Sequence, residues 1–519
     1  MEQEKIEKKH KRIMIYVMII SLICVVGVSY AFFTAGMSSE TSTTVRADAG
    51  TMKITYSGGA NINLSGIYPK DGVWATKTIT VTGNNTTDAE MYYKLTLVVD
   101  SNTFKADDPL QYELVSTNTS TNGEIIPNIS KTDITGASIE LGKGHFVKAN
   151  NAKHTYLLKI YYSKKTTSQN ANQGAAFSAH LEITSAKAPT VSNLAETILA
   201  KNEVKTPITT PGAAISTADE ALLASTEDDY GTSYYFRGAV INNYVEFANK
   251  CWRIVRVGGD GSVKLILHND NTTKVANPCD AANNSVSAAF ARYSGETYKS
   301  AFNENANDNA YIGFKYGTPG SSRYEATHAN TNKSTILTNL EAWYDKNNLK
   351  DYEKVIADTV WCNDKTNVTD TTYDPYNWNP NGYGYGKNVT YYGATQRLVS
   401  KNNSAGGTGP SLKCTGELSK INSKVGLITA DELAYAGYAY AKYNTTTYLQ
   451  ENATDTYWWS LSPSIFPGST AYIWYVIGNN GYFIHNLYIA NGVRPSISLK
   501  PSTNVTGDGT SSSPFVVKI

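Results

Sequence analysis

The chain has 519 residues, and its 46 basic side chains nearly balance its 45 acidic ones, giving a formal net charge of +1. A single hydrophobic core stops growing at roughly 250 to 300 residues, so this length predicts more than one domain. A charge so close to neutral provides no overall positive field, and we expect no nucleic-acid partner. The 37 tyrosines are typical of β-rich extracellular proteins.

The N-terminal segment predicts export of the rest of the chain. Residues 1–12 form a basic flank, and residues 13–33 carry no charged side chain. A basic flank stays in the cytoplasm, and an apolar run of about 21 residues is long enough to cross a membrane as a helix. The run also fits a long signal peptide, with a small-x-small cleavage site that ends at Ala31. Both alternatives place the remainder at the extracellular face of the membrane or in the medium.

The cysteines agree with export to an oxidising compartment. Cys24 lies in the apolar run, which leaves an even number in the exported part, namely Cys251, Cys279, Cys362 and Cys414. Four cysteines allow three pairings, and we predict the sequential one, Cys251 with Cys279 and Cys362 with Cys414. None of them has the spacing of a zinc site, so we expect no metal.

Residues 47–187 contain short segments in which every second residue is apolar, separated by turns rich in Gly and Asn. Several such strands without a helical pattern predict an all-β sandwich. Gly50 and Thr51 at a strand entry, with the turn Pro69-Lys70-Asp71-Gly72, resemble the TasA and camelysin family of exported β-sandwich proteins. That family includes matrix-fibre subunits and proteins described as metallopeptidases. The sequence has no His-Glu-x-x-His motif, so we expect no peptidase activity.

Residues 188–225 contain three prolines and a remainder rich in Thr, Ser and Ala, apart from a short helical stretch over 193–201. This composition predicts a linker. Residues 226–519 then combine strand and helix patterns and are predicted to form an α+β domain. A Gly-Gly-Asp-Gly turn at 258–261 predicts a hairpin, and Thr429 with Glu432 forms a capping-box pattern at a helix start. Apolar residues at helical spacing predict a further helix over 336–344.

Five segments in this part, in chain order YYFRG, CWRIVRVGGDGSVKLI, GLITADELAYAG, YWWSLSP and GVRPSISLK, resemble the formylglycine-generating-enzyme-like branch of the C-type lectin-like fold. The resemblance covers residues 228–502 and implies a domain found in surface proteins of Firmicutes, with Arg494 as a buried structural residue. The oxidase of that branch uses a cysteine pair near its C-terminus, whereas no cysteine follows Cys414 here. The calcium-binding triplets of classical lectins are also missing. We therefore expect no oxidase activity, no calcium site and no cofactor.

Two aromatic stretches, residues 471–495 and 372–393, supply the candidate binding residues. The first is predicted to be a hairpin with an Asn-Gly turn. In one register the inward residues are Trp474, Val476, Phe483 and Leu487, and the outward ones are Tyr475, Ile477, Tyr482, Ile484, Asn486 and Tyr488. A one-residue slip would exchange the faces. The alternative is that Trp458, Trp459 and Trp474 simply fill the core.

The second stretch is predicted to be a long loop that forms the other wall of a groove. The alternative is an insertion that is only stapled at its base by Cys362 and Cys414. Flat aromatic rings beside amides suit glycans and peptides. The predicted ligand-binding residues are Trp378, Tyr383, Tyr475, Asn479, Asn480, Tyr482, His485, Asn486 and Tyr488.

Together these features predict a multidomain protein with an N-terminal transmembrane or signal helix, an all-β sandwich and an α+β C-type-lectin-like domain. The predicted function is that of a non-catalytic surface protein of a Gram-positive bacterium. Its sandwich presents the lectin-like head to a glycan or to a surface protein of a host or neighbouring cell. The alternative is a matrix subunit that assembles into homo-oligomers or fibres through the sandwich. The histidines are isolated in the sequence, and we expect no enzyme.

Overall fold

A computed structural model describes residues 52–86, 90–118, 122–185, 191–477 and 482–519. The predicted basic flank, the apolar run, Gly50, Thr51 and the turn residues Asn479 and Asn480 lie outside the described residues. Within the described ranges, no helix is both long and apolar enough to cross a membrane. The chain divides into two compact units between Pro189 and Thr190.

The described residues of the first unit form two antiparallel sheets. The strands are β1 Met52–Ser57, β2 Ile62–Ser65, β3 Val73–Asn85, β4 Met91–Asn102, β5 Gln111–Ser116, β6 Ile129–Asp133, β7 Ser138–Phe146, β8 Ala149–Tyr161 and β9 Ala176–Ser185. One sheet has the order β1-β3-β8-β5-β6, and the other has the order β2-β9-β4-β7. A 3-10 helix, Asn170–Asn172, precedes β9.

Both sheets of the first unit contribute to one hydrophobic core. Alternate residues are buried along β3 and β4, as expected for strands with one covered face. The core includes Ile79, Val81, Leu158 and Ile160 from the five-stranded sheet and Leu95, Leu97, Leu181 and Ile183 from the four-stranded sheet. Since two antiparallel sheets share this core, the unit has the layered arrangement of a β-sandwich.

The second unit also has more strand than helix, with short helices between the strands. Its strands are β10 Ser192–Asn193, β11 Ala221–Asp228, β12 Gly231–Gly238, β13 Tyr244–Phe247, β14 Lys250–Val257, β15 Val263–Asn269, β16 Lys299–Ser300, β17 Lys315–Tyr316, β18 Asn332–Lys333, β19 Thr359–Cys362, β20 Thr390–Tyr391, β21 Lys420–Ser423, β22 Trp458–Phe466, β23 Tyr472–Val476, β24 Tyr482–Asn486, β25 Asn491–Gly492, β26 Ser496–Leu499, β27 Asn504–Thr506 and β28 Phe515–Lys518. Its α-helices are α1 Leu194–Lys201, α2 Tyr324–Thr327, α3 Thr335–Lys346, α4 Gly393–Leu398 and α5 Ala430–Ala436. Its 3-10 helices are Ala281–Asn283, Asn309–Ile312, Leu349–Tyr352 and Glu417–Ser419.

Two larger sheets organise the second unit. The nine-stranded sheet follows the path β10-β27-β28-β13-β14-β12-β11, with β15 paired to β14 and β26 paired to β15. The six-stranded sheet follows β16-β25-β22-β23-β24, with β20 paired to β22. Strands β10 and β28 both pair with β27, so the first and last strands of the unit are separated by one strand. A continuous core contains six fully buried tryptophans, Trp252, Trp343, Trp361, Trp458, Trp459 and Trp474.

Several local predictions for this unit are confirmed. Strands β14 and β15 pair across the Gly-rich turn, where the Gly258 amide donates to the Ser262 carbonyl at 2.8 Å. Helix α3 buries the apolar residues that recur at helical spacing. Helix α5 begins at Thr429, whose side chain and that of Glu432 form the predicted capping box. These predictions are correct because each sequence pattern depends only on residues within a few positions of one another.

The linker predicted for residues 188–225 is wrong from Val191 onward, because this segment is part of the second unit. It contributes β10, α1 and the start of β11. Glu220 is fully buried, and its Oε1 lies 2.8 Å from Nε of Arg237, which is also fully buried. The same carboxylate accepts hydrogen bonds from the Ile208 amide at 2.9 Å and from the Thr209 hydroxyl at 2.8 Å. The buried ion pair thus holds a segment whose composition alone resembles a linker.

The disulfides follow the sequential pairing, Cys251 with Cys279 and Cys362 with Cys414. Two disulfides indicate an oxidising environment of the kind found outside the cytoplasm.

Arg494 is fully buried and donates to the carbonyls of Leu267 and Leu449 at 2.9 and 2.6 Å. This residue therefore ties the segment before β26 to two other parts of the core.

Lys365 has a buried amino group whose hydrogen-bond partners, among the described residues, are neutral. Its ammonium donates to the carbonyls of Lys315 and His328 at 3.1 and 2.7 Å and to Oδ1 of Asn330 at 2.6 Å. Burial, reinforced by the charge of Lys315, lowers the pKa of Lys365 to about 7. An unfolded lysine keeps its proton up to about pH 10.4. Folding therefore releases a proton between these two values.

We expect the free energy of unfolding to rise as the pH increases from about 7 to about 10, because the native state holds Lys365 neutral while the unfolded state still binds the proton. Urea unfolding of the wild type and of a Lys365→Met variant over this pH range would measure the effect. The free energy of unfolding of the wild type, relative to that of the variant, should increase with pH. A difference that is independent of pH would contradict the assignment.

Candidate functional site

The predicted hairpin is present as strands β23 and β24, and its register fixes which residues share a face. Tyr472 pairs with Asn486, Trp474 with Ile484, and Tyr475 with Phe483. Directly paired residues of an antiparallel ladder lie on the same face. The predicted combination of Trp474 with Phe483 on one inward face is therefore wrong, because Phe483 occupies the position opposite Tyr475.

One face of the hairpin includes Tyr475 and His485, and the segment over residues 300–306 contacts the two ends of the hairpin. The Phe302 amide donates to the Leu487 carbonyl, and the Ala471 amide donates to the Ala306 carbonyl, each at 2.8 Å. Tyr475 is only 6% exposed, and its ring centroid lies 4.8 Å from that of His485. The prediction that Tyr475 faces outward is wrong. It is a core residue whose ring packs against those of Tyr457, Trp459 and His485.

The tryptophans also belong to the core. Trp458 and Trp459 are buried on β22, and Trp459 donates to the Ser300 carbonyl at 2.8 Å. Trp474 is fully buried, with its ring 5.7 Å from that of Tyr440. Burial lowers the pKa of His485, whose ring is only partly exposed. The alternative in which these tryptophans fill the interior is the one that the structure supports.

The loop over residues 372–393 packs against the opposite face of the hairpin, where it meets Tyr472. The rings of Trp378 and Tyr472 lie 5.9 Å apart at 45°. Tyr376 lies next to Trp378, with 5.3 Å between ring centroids. The two aromatic stretches identified in the sequence therefore come together through this contact.

Asp374 holds this loop in place. Its Oδ1 accepts the Trp378 amide and the Tyr391 hydroxyl at 2.8 and 2.7 Å, and its Oδ2 accepts the Asn379 amide at 2.8 Å. Although burial opposes ionisation, these hydrogen bonds lower the pKa of Asp374. Asn377 and Asn379 have φ values of 58° and 53°, a left-handed conformation that Asn tolerates. The loop is thus an ordered structure in which Trp378 has a fixed place.

The resulting surface, which we call the aromatic face, consists of Trp378, Tyr472, Ile484, Asn486 and Tyr488. The first four are half-buried, and Tyr488 is 48% exposed. Burial, and then the neighbouring Tyr488, raise the pKa of Tyr472. Among the described residues, Oδ1 of Asn486 has no hydrogen-bond partner. The face therefore offers three aromatic rings beside the side chain of Asn486, whose Oδ1 is buried.

The remaining predicted site residues are placed elsewhere or not described. Tyr383 is 57% exposed and stacks on Tyr385 with 5.8 Å between ring centroids, and no ring contact in the described part of the chain joins it to Trp378. Asn479 and Asn480 lie outside the described residues, and Tyr482 is placed only as a backbone position of β24.

Sequence reasoning missed Tyr472 as a member of the site. The alternation of β23 contained the signal, because Tyr472 lies two residues before Trp474 and shares its face.

Comparison of the sequence with protein-family models and with curated proteins finds no match.

Proposed function

We propose that the protein is a non-catalytic surface protein of a Gram-positive bacterium, exported through residues 13–33, whose second unit has a C-type-lectin-like fold and binds a glycan at the aromatic face. The contact between Trp378 and Tyr472 is the observation that carries this proposal. The two disulfides support an extracellular location. The resemblance of the first unit to the TasA and camelysin sandwiches supports its role as a stalk.

The chemistry of the aromatic face favours a glycan. Aromatic rings bury the apolar surfaces of a ligand, and they lose little conformational entropy because their side chains have two torsions. The amide of Asn486 supplies the polar contact that a hydroxyl-rich ligand requires. The face contains no carboxylate, thiol or hydroxymethyl group, so its residues provide binding and no acid, base or nucleophile other than the phenols.

A glycan array probed with the full-length protein in detergent would test the proposal. We expect Trp378→Ala and Tyr472→Ala each to weaken binding at least about tenfold, because each removes a ring that stacks on the ligand and tenfold corresponds to about 1.4 kcal/mol. Tyr488→Ala should weaken binding without a change in thermal unfolding, since its side chain is half-exposed.

Tyr383→Ala is the matched control, because it removes an exposed tyrosine that lies apart from the aromatic face. It should leave glycan binding unchanged. If Trp378→Ala, Tyr472→Ala and Tyr488→Ala all bind as the wild type does, or if the wild type binds no glycan, the proposal fails. Binding to a surface protein in place of a glycan would identify the other ligand class, and filaments of the wild type in electron micrographs would favour the matrix-subunit hypothesis.

A further inference from the structure

The second unit contains a charged cavity that shares no residue with the aromatic face. Its volume is about 50 Å³, and its walls include Asp364, Arg397, Asp431 and Glu432. A polar groove of about 170 Å³ shares Asp228, Tyr230, Arg256, Lys264 and Val360 with it, so the two spaces adjoin. Tyr230 is 60% exposed and lies at the rim.

Ion pairs line the charged cavity on two sides. On one side, Arg397 binds both oxygens of Asp431 at 2.7 Å and approaches Oδ2 of Asp364 at 2.6 Å. On the other side, Arg256 and Lys264 both pair with Glu432, at 3.0 and 2.7 Å.

The carboxylates that line this cavity outnumber its cations. Arg256 also pairs with Asp228 at 2.9 Å. Its lining carries five carboxylates and four cations, namely Asp228, Asp229, Asp364, Asp431 and Glu432 with Arg256, Lys264, Arg397 and Lys413. Because the lining has one more carboxylate than cations, the cavity favours one further positive group.

Asp364 shows where that group would bind. The residue is 3% exposed, and its Oδ1 has no hydrogen-bond partner among the described residues. Its backbone φ is 26°, a strained value that folded structures retain mainly at functional positions. Gly393 lies against the same carboxylate, because a Cβ at that position would be 2.6 Å from Oδ2. The fold thus buries a carboxylate oxygen in the wall of the cavity and gives it no hydrogen-bond partner among the described residues.

We propose that the charged cavity binds the ammonium group of a primary amine, with its nitrogen at Oδ1 of Asp364 and the rest of the ligand in the adjoining groove. An ammonium group is close in size to a water molecule, which occupies about 30 Å³ in the liquid, so a cavity of about 50 Å³ accommodates it. A divalent metal is a poorer match, because the described residues include no group of three or more side chains suited to hold one.

Calorimetric titration of the full-length protein with putrescine would test this proposal. We expect measurable binding of putrescine that weakens with salt, and no binding of 1,4-butanediol, which has the same carbon chain without charge. Asp364→Asn should weaken putrescine binding at least tenfold.

Asp370→Asn is the matched control, because it removes an exposed carboxylate outside the cavity, and it should bind putrescine as the wild type does. Nα-acetyl-lysine methylamide, titrated in parallel, would distinguish a lysine side chain from a free amine as the source of the group.

Equal binding of the diamine and the diol, or unchanged binding by Asp364→Asn, would overturn the proposal. If Asp364→Asn does not fold, a crystal structure of the wild type grown with putrescine gives the answer. A nitrogen within about 3 Å of Oδ1 of Asp364 would support the proposal, since that is hydrogen-bond distance. Water alone at this position would overturn it.

Discussion

Replacement of Glu220 by Gln is expected to lower the free energy of unfolding of the second unit by about 3 to 5 kcal/mol. Glu220 and Arg237 are both fully buried and form an ion pair at 2.8 Å. The substitution leaves the guanidinium of Arg237 without a counter-charge in the interior. Tryptophan fluorescence during urea unfolding would measure the effect, because the first unit contains only Trp74 of the eight tryptophans.

Glu203→Gln provides the control for this experiment. Glu203 is 78% exposed in its side chain and pairs with Lys205 at 3.4 Å, so its loss should change stability by less than about 1 kcal/mol. A double variant, Glu220→Leu with Arg237→Met, should recover part of the lost stability, because it removes both buried charges. Equal stability of Glu220→Gln and Glu203→Gln would contradict the role assigned to the buried pair.

Removal of the second disulfide by Cys362→Ala with Cys414→Ala is expected to cost about 4 kcal/mol, since the bond closes a long loop and restricts the unfolded chain. The two cysteines are 52 residues apart, and the loop that carries Trp378 lies between them. The double variant should therefore also bind the glycan less tightly than the wild type. Urea unfolding and the glycan array would measure the two effects.

The other disulfide, Cys251 with Cys279, closes a shorter loop and allows the two stability effects to be compared. Cys251 and Cys279 are 28 residues apart, so Cys251→Ala with Cys279→Ala should cost slightly less, about 3.5 kcal/mol, and should leave the glycan affinity nearly unchanged. An unaltered urea midpoint in the Cys362 and Cys414 double variant would contradict the expected stabilisation. Equal loss of glycan binding in the two double variants would contradict the link to Trp378.

The features that sequence reasoning predicted correctly are those with local causes. The Gly-rich turn between β14 and β15 and the capping box of Thr429 with Glu432 each act over four residues. The alternation within the first unit likewise reports burial directly, because strands with one covered face repeat every two residues. Such signals do not depend on which distant segment covers the element.

The errors came from contacts between distant parts of the chain. Tyr475 is buried against the rings of Tyr457 and Trp459, and its own strand gives no sign of that cover. Glu220 lies among residues with the composition of a linker, and its partner Arg237 follows in β12. The charged cavity joins Asp228, Asp364 and Glu432 from three separate regions. Periodicity and spacing cannot bring such residues together, because tertiary packing decides their neighbours.

Strands β10 and β28 pair with the same strand, and this brings the two ends of the second unit close together. Neighbouring strands lie about 4.8 Å apart, so the chain enters and leaves this unit at positions about 10 Å from each other. A module with entry and exit so close can be transplanted into a surface turn of another protein without stretching its host. The same proximity allows a linker of a few residues to join the two ends, so that new termini can be opened in an exposed turn while the aromatic face and the charged cavity keep their geometry.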